Sequence, residues 1–272
     1  MKKIILVLSL TWLSPAYAQY RMPDGISPGT GASNPAVSTL NPLHGNPAAL
    51  PVHEGTAWMI AAGKQYVVSG LYSLKLAISR PVGRMRVASS FERHGYRDFI
   101  SQQWGLWFAR TISERLQGGI KLILLDRKFP GTIRKGNPGW EIGLLGKVLP
   151  RWRFGLHVIG YHAIRSGEPD GTGLFGSISQ GMHWEIGTQL DLYLGARLSP
   201  ENGISWFGGI VYAIDEKTDL KLGLAGSPMQ PGISVGHRLS RQAVLDLGNR
   251  YHPVLGMSPA LTFSNRPMLN SN

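Results

Sequence analysis

Residues 184–198 read WEIGTQLDLYLGARL, and apolar and polar side chains alternate along this stretch with a period of two. Such alternation is typical of a β-strand, because successive side chains of a strand point to opposite faces. The apolar positions are Trp184, Ile186, Leu190, Leu192, Leu194 and Leu198, and the polar positions are Glu185, Gln189, Asp191 and Arg197. The stretch therefore predicts a strand with one apolar face and one polar face.

The same alternation recurs from about residue 56 to about residue 264 and predicts about 14 strands. The candidates lie near 56–64, 70–80, 83–93, 97–110, 115–126, 138–149, 151–164, 171–181, 183–198, 203–214, 218–227, 230–239, 242–251 and 255–264. Each is close to the ~9–11 residues that a tilted strand needs to cross a bilayer. We therefore predict an all-β fold, a transmembrane antiparallel β-barrel with apolar side chains facing lipid and polar side chains facing the lumen.

Residues 1–18 have the features of a secretory signal peptide. Lys2 and Lys3 precede a short apolar run, and the stretch ends at Ala18 with a small-x-small cleavage site. The apolar run is too short to span a bilayer. We expect the mature chain to begin at Gln19 and to be exported to the bacterial outer membrane.

Residues 19–55 are rich in Gly, Pro, Ser and Asn and have no strand pattern. Two placements are open for them: a periplasmic segment ahead of the barrel, or a plug inserted into it. The barrel itself is expected over 56–264, followed by a tail at 265–272. The longer links near 127–138 and 165–173 are expected on the extracellular side, because short turns face the periplasm in such barrels.

Composition limits the class of protein. The chain has no cysteine, so an exported fold does not depend on disulfides. Its mean hydropathy is −0.06, and after residue 18 no run of ~20 apolar residues predicts a membrane-spanning helix. The net charge is +12, but the basic residues are spread singly along strands, so we expect no nucleic-acid partner. A basic lumen or an affinity for anionic headgroups explains the charge better.

Strand parity places a set of charged residues of both signs on the lumen face. A charge on the lipid face costs roughly 2–4 kcal/mol near the midplane, so parity is strongly enforced. Mixed signs favour salt bridges across a narrow lumen, with a ring that selects solutes as the alternative. The inward set is Lys75, Arg84, Arg86, Lys121, Glu141, Lys147, Arg153, Glu185, Asp191, Arg197, Lys221, Asp246 and Arg250.

Five tryptophans lie near the ends of predicted strands. Such residues form the aromatic girdles that mark the membrane interfaces of β-barrels, and a sugar-stacking site is the sharper alternative. The five are Trp58, Trp140, Trp152, Trp184 and Trp206.

No local signature predicts catalysis or cofactor binding. None of the eight histidines stands in an HExxH motif or a similarly tight metal-ligand spacing, and no cysteine is available as a ligand. The sequence also lacks a Walker A loop, and its two G-x-S-x-G matches, at 25–29 and 232–236, lie in a segment without a strand pattern and inside a predicted strand. Neither is at the strand-to-helix turn that a nucleophile elbow requires. We therefore predict no cofactor, no metal and no enzymatic activity. An outer-membrane lipid hydrolase is a remote alternative, because a Ser and a His can meet in space without a local signature.

Two short segments carry a resemblance to known families. Residues 46–50, NPAAL, precede the first strand and resemble the signature at the start of FadL-like barrels, in which the N-terminal segment lies within the barrel. Residues 251–259, YHPVLGMSP, enter the last strand. Together with the strand count and the hairpin at 212–217, YAIDEK, they resemble the PorV/PorQ branch of that superfamily, found in bacteria with a type IX secretion system.

The resemblance covers essentially the whole mature chain and implies two functions. PorV-like proteins are accessories of a secretion translocon or shuttles for exported cargo, whereas FadL-like proteins pass hydrophobic solutes. Our leading hypothesis is a non-enzymatic outer-membrane component of protein secretion or surface assembly. Its expected partners are outer-membrane lipid and a secretion translocon or exported cargo protein. The alternative is a channel for small or hydrophobic solutes, gated by residues 19–55; within that segment Asn46, Pro47 and Ala48 form the predicted plug or turn motif.

Overall fold

The computed structural model describes residues 43, 45–52, 55–66, 70–96, 99–128, 135–164, 172–200, 203–226, 229–240 and 243–265. The predicted signal peptide and the tail after residue 265 lie outside these residues. No helix in the described ranges is long and apolar enough to cross a membrane.

Fourteen antiparallel strands form one closed barrel, which confirms the predicted fold class. Each strand pairs with its neighbours in the chain, and β1 pairs with β14 to close the sheet. The strands are β1 Ala57–Lys64, β2 Tyr72–Val82, β3 Met85–Tyr96, β4 Phe99–Ser113, β5 Leu116–Lys128, β6 Lys135–Leu149, β7 Trp152–Ile164, β8 Thr172–Glu185, β9 Leu190–Ser199, β10 Gly203–Ala213, β11 Thr218–Ala225, β12 Gln230–Arg238, β13 Ala243–His252 and β14 Gly256–Asn265.

The two faces of the wall differ as the alternation requires. In β2, Leu76 and Ile78 are exposed on the outer face, whereas Ala77 and Ser79 between and beside them are buried inside. Exposed Leu, Ile, Val and aromatic side chains recur on the outer face of the other strands as well. Water would disfavour so continuous an apolar surface, whereas the hydrocarbon core of a bilayer requires it.

The two rims of the barrel differ in their connections. β1 begins and β14 ends at the same rim, where the connections between strands are two to four residues long; we call it the short-turn rim. The connections 129–134 and 165–171 leave from the opposite rim, which we call the long-loop rim. In bacterial outer-membrane barrels the short turns face the periplasm.

The stretch at 184–198 is two strands rather than the single strand predicted from its alternation. β8 ends at Glu185 and β9 begins at Leu190, and the Ile186 N–H donates to the Leu190 carbonyl at 2.9 Å to close the turn. The connection contains four residues, an even number, so alternation continues across it without a break of phase. Parity alone therefore cannot distinguish a hairpin with a four-residue turn from one long strand.

Arg84 is the second correction to the predicted strands. The strand expected at 83–93 begins at Met85, and Gly83 and Arg84 form the turn that joins β2 to β3. Gly83 has a φ of 60°, in the left-handed region that glycine adopts without a steric penalty. Arg84 is exposed at the short-turn rim and does not belong to the inward set.

The turn between β10 and β11 is closed by an exposed carboxylate. Asp215 accepts hydrogen bonds from the Lys217 and Thr218 backbone N–H groups, each at 2.7 Å. The bond from Lys217, followed by those from Thr218, lowers the pKa of Asp215. The hydrogen bonds to ionised Asp215 therefore stabilise the turn at pH values above the ordinary pKa of an aspartate. This stabilisation is lost as the pH falls through the lowered pKa.

Neighbouring residues in β9 provide a test of the two faces. Leu192 is on the outer face, whereas Asp191 lies beside inward-facing His183, with 3.6 Å between Asp191 Oδ1 and His183 Nε2. We expect Leu192→Arg to impair membrane assembly, because a cation on the lipid face costs roughly 2–4 kcal/mol near the midplane and less toward the rim, where Leu192 lies. Asp191→Asn should be tolerated. A heat-modifiability gel of membrane fractions measures both, and equal tolerance of the two variants would refute the assignment of faces.

Candidate functional site

Part of the N-terminal segment lies inside the barrel. We call Leu43 and residues 45–52 the plug; it contains a short 3₁₀ helix, Pro47–Val52, that packs against β4, β5 and β6. Leu43 and residues 45–50 are all buried, and Ala48, Ala49 and Leu50 have no exposed surface. Of the two placements that the sequence leaves open, this part of the segment occupies the lumen.

Asn46 ties the plug to the wall. Its side-chain amide donates to the carbonyls of Leu144 on β6 and Leu156 on β7, both at 3.1 Å. Its Oδ1 accepts the Ala48 backbone N–H at 2.9 Å and thereby holds the start of the 3₁₀ helix. The Asn46-Pro47-Ala48 turn is therefore both a local turn and a cross-link between two strands.

Two inward-facing glycines of the wall make room for that turn. A Cβ added at Gly143 on β6 would lie 1.7 Å from Asn46 Oδ1. A Cβ added at Gly119 on β5 would lie 2.5 Å from the carbonyl carbon of Pro47. Any larger residue at either position would overlap the plug, so Gly119 and Gly143 form a glycine seat for the Asn46-Pro47-Ala48 turn.

The plug also makes apolar contacts on two sides. Leu43 and Leu50 belong to a buried cluster with Met59 and Trp107 on the inner faces of β1 and β4. The rest of that cluster consists of alanines, namely Ala57, Ala61, Ala77, Ala88 and Ala109. The plug thus covers a smooth apolar patch on the inner wall of β1–β4, which we call the alanine patch.

On its other side the plug meets a second apolar cluster. Ala48 and Ala49 pack in the interior with Leu145 on β6, Tyr193 on β9 and Val211 on β10. The short alanine side chains allow the plug backbone to lie close to these strands. The plug is therefore in contact with opposite parts of the wall.

Two buried members of the inward set, Lys121 and Glu141, form a triad with His157. Glu141 Oε2 lies 2.8 Å from His157 Nε2, and Glu141 Oε1 accepts a hydrogen bond from Lys121 Nζ at 3.4 Å. Lys121 Nζ also lies 4.7 Å from the centroid of the Trp107 ring, which makes a cation–π contact. All four side chains are almost fully buried, so the triad is an internal cross-link between β5, β6 and β7.

A second cross-link lies on the opposite wall. Lys221 on β11 is buried and binds Asp246 on β13 and, at 2.9 Å, Asp219 on its own strand. The inward-facing Gly236 on the intervening β12 allows this bridge, because a Cβ there would lie 2.4 Å from Asp219 Oδ1. Lys75 on β2 and Glu92 on β3 form a further pair at 2.6 Å.

The rest of the inward set lies nearer the rims or forms single bonds. Arg153 and Glu185 are paired at 3.0 Å and partly exposed. Buried Arg86 donates to Ser79 Oγ at 3.2 Å and also to the Gly55 carbonyl, and Arg197 donates to Ser179 Oγ at 3.2 Å. Arg250 is half-buried on β13, and Lys147 has inward parity but is exposed at the short-turn rim beside an irregularity in β6.

The five tryptophans are all on the outer face, at different heights. Trp58, Trp152 and Trp184 lie near the short-turn rim, where the rings of Trp152 and Trp184 are stacked 4.9 Å apart. Trp206 lies near the long-loop rim and is exposed. Trp140 is the sixth residue of β6 and covers Gly160, where a Cβ would lie 2.5 Å from its ring. Trp140 therefore covers a glycine within the wall and is not at a strand end, because β6 begins at Lys135, earlier than the predicted strand near 138–149.

Several residues that matter inside the barrel were not among the predicted site residues. The glycines of the seat, the alanine patch and Trp107 carry no chemical signature in sequence. His157 and His183 were excluded as metal ligands, yet both are buried beside carboxylates. The sequence signal for their position is parity, because each has the inward parity of a charged residue on its own strand, Arg153 for His157 and Glu185 for His183. No group of three or more His, Cys, Asp or Glu in the described ranges is placed to hold a metal ion.

Comparison with known proteins identifies the architecture. The toluene transporter TodX of Pseudomonas putida matches with a TM-score of 0.67 and 10% identity, over 89% of this chain and 97% of that one. The fold is that of an outer-membrane β-barrel. The Ralstonia pickettii toluene transporter TbuX has a TM-score of 0.63 and 11% identity over 90% and 98% of the two chains.

A Pseudomonas aeruginosa FadL homologue is also similar, with a TM-score of 0.58 and 9% identity over 90% of this chain and 97% of that one. No family model matches the chain, and no curated protein matches it. At these identities the likeness concerns the fold. These neighbours support the FadL-like part of the resemblance, and the PorV/PorQ assignment stays a prediction.

Proposed function

We propose that this protein is an outer-membrane channel for small hydrophobic solutes of the monoaromatic class, closed at rest by its own plug. The observation that carries the proposal is the plug itself, bound to a glycine seat inside a closed 14-stranded barrel. The toluene transporters of the same fold supply the solute class. The outer membrane is the corresponding location.

The alanine patch suits a hydrophobic solute. Small side chains on the inner faces of β1–β4 leave space next to the plug, and Met59 and Trp107 are the only larger members that the wall contributes to this cluster. When the plug withdraws, apolar wall surface loses its cover, and a small hydrophobic solute that takes the plug's place removes that surface from water again. Such burial is worth roughly 25 cal/mol per Å².

The buried ion pairs have a structural role in this scheme. The triad around Glu141 and the bridge around Lys221 each join strands, and their charges are satisfied by one another. They lie apart from the alanine patch, whose members are all apolar. A selectivity ring of these charges is therefore not needed to explain solute choice.

The secretion-accessory hypothesis gains no support from the neighbours reported above, which are transporters. It stays a prediction, and its test is a mild-detergent pull-down of the tagged protein from outer membranes. Stoichiometric recovery of a large translocon barrel or an exported surface protein would favour it over transport. The same neighbours are consistent with the expectation that the protein is not an enzyme.

Uptake of isotope-labelled toluene by whole cells tests the channel. Cells that express the wild-type protein should take up toluene faster than cells that express Leu192→Arg, which we expect to assemble poorly. Uptake of a labelled disaccharide should be the same in both, because the plugged barrel is not an open aqueous pore. Equal toluene uptake in the two strains would contradict the proposal. A rise in disaccharide uptake with the wild-type protein as large as its rise in toluene uptake would also contradict it.

A further inference from the structure

The outer wall contains a large apolar groove that the channel proposal does not use. It has a volume of about 1250 Å³ and crosses β5 to β12, from Leu116 and Gly146 at the short-turn rim to Met229 and Pro231 at the long-loop rim. The side chains that line it, such as Leu144, belong to the exposed outer face of the barrel. The volume exceeds the ~300–1,000 Å³ typical of a pocket for a drug-sized ligand, so it suits a ligand with long chains.

Inward-facing glycines recur along the part of the wall that the groove crosses. Two sets of inward-facing glycines are paired directly across neighbouring strands, and all of them border the groove. The sets are Gly155, Gly181 and Gly195 on β7–β9, and Gly209, Gly223 and Gly232 on β10–β12. At these positions the wall has no side chain on its inner face, which lets neighbouring groups approach its backbone closely.

Three exposed cations lie next to lining residues, or in the adjoining turn, at the short-turn end of the groove. Arg115 directly precedes Leu116, Lys147 directly follows Gly146, and Arg151 lies in the turn before β7; all three are exposed. The Lys147 backbone N–H donates to the Arg115 carbonyl at 2.8 Å, so two of these residues are adjacent across strands. Of the nearby acids, Glu185 is paired with Arg153, which leaves Glu114 as the opposing charge in the adjoining turn.

We propose that this groove binds an anionic glycerophospholipid from the membrane leaflet at the short-turn rim. The acyl chains lie along the apolar groove, and the phosphate is bound by Arg115, Lys147 and Arg151. Charge complementarity at the mouth selects the headgroup, because basic residues beside an anionic headgroup attract it strongly at an interface. The lipid site is on the outer wall and does not depend on the channel function.

Native mass spectrometry of the full-length protein tests the site. The protein is reconstituted in bilayers of equal phosphatidylglycerol and phosphatidylcholine with identical acyl chains, and the lipids retained on release are counted. Wild type should retain phosphatidylglycerol in preference to phosphatidylcholine. The triple variant Arg115→Gln, Lys147→Gln, Arg151→Gln should lose that preference tenfold or more, since each cation contributes up to about fivefold.

A second variant tests the groove rather than the charges. A Cβ at Gly146 would be 3.8 Å from its nearest neighbour, the Arg115 carbonyl oxygen, so Gly146→Leu fits the wall and fills the end of the groove. It should reduce retention of both lipids. The matched control is Arg80→Gln, Arg84→Gln, Lys217→Gln, which removes three cations from the same rim away from the groove, and it should behave as wild type.

Three other outcomes would contradict the proposed lipid site. Equal retention of both lipids by wild type would remove the headgroup selection, and unchanged retention in Gly146→Leu would place the lipid elsewhere. A complex of two protein copies without lipid would show that a second copy covers the groove. The triple variant changes only exposed rim residues, so it remains informative if Gly146→Leu fails to assemble.

Discussion

Gly143→Leu is expected to convert the closed barrel into a conducting one. The first atom of the new side chain would lie 1.7 Å from Asn46 Oδ1, so Asn46 cannot keep its present position. Its two hydrogen bonds to the wall and the one to Ala48 would then be lost. Three bonds of about 1 kcal/mol each correspond to a roughly 100-fold shift from seated to unseated plug. Single-channel recording in planar bilayers measures the open fraction.

The matched control for this experiment is on the same strand. Gly146→Leu adds the same side chain three residues away on the outer face, where the wall has room for it. It should leave the conductance at the wild-type level. An assembled Gly143→Leu protein with unchanged conductance would contradict the assignment of Asn46 as the residue that holds the plug. Asn46→Ala is a milder variant that should raise the open fraction in the same direction.

Glu141→Leu is expected to destabilise the barrel more than any change at the exposed ion pairs. The substitution removes the carboxylate that binds both Lys121 and His157 in an almost fully buried position. Breaking a buried pair by deleting one partner costs about 3–5 kcal/mol. Glu185→Gln removes a carboxylate from a partly exposed pair with Arg153 and should cost about 1 kcal/mol or less. Urea unfolding in lipid vesicles measures both.

A double variant separates charge from packing at the triad. Lys121→Met together with Glu141→Leu replaces the buried ion pair by apolar side chains, a change that is often neutral or stabilising. The double variant should therefore recover much of the stability that Glu141→Leu loses. If the double variant is as unstable as Glu141→Leu, the loss comes from the shape of the Glu141 side chain and the electrostatic explanation fails.

Alternation alone predicts most of this barrel, because the bilayer enforces it strand by strand. An outward charge is costly, so the phase of each strand is visible in sequence, as with Leu76 and Ala77 in β2. The same signal fails where a turn preserves the phase, as at residues 186–189. It also fails at the end of a strand, where Arg84 keeps the parity of Arg86 but lies in the turn.

The interior is harder to predict because its key residues act by their small size. The sequence marks Asn46, Pro47 and Ala48 as a turn, but only the structure shows that Gly119 and Gly143 receive it. These glycines come from other strands and are brought to the plug by the register of the barrel. Parity identifies Lys121 and Glu141 as inward, whereas the triad that Glu141 forms with Lys121 and His157 depends on the pairing of three strands. Long-range register of this kind has no local sequence signal.

The central claim is that hydrophobic solutes pass through the barrel only when the plug leaves its seat. The chain has no cysteine of its own, and Ala48 and Leu145 lie in one buried cluster, so Ala48→Cys with Leu145→Cys tethers the plug to β6 by a disulfide. A non-reducing gel verifies the bond.

The most direct measurement is the initial uptake of labelled toluene by cells with this variant, before and after reduction. We predict uptake near that of cells without the barrel while the tether is intact, and a return to wild-type uptake on reduction. Equal uptake in the two states, at the wild-type rate, would show that the solute passes without displacement of the plug and would contradict the account.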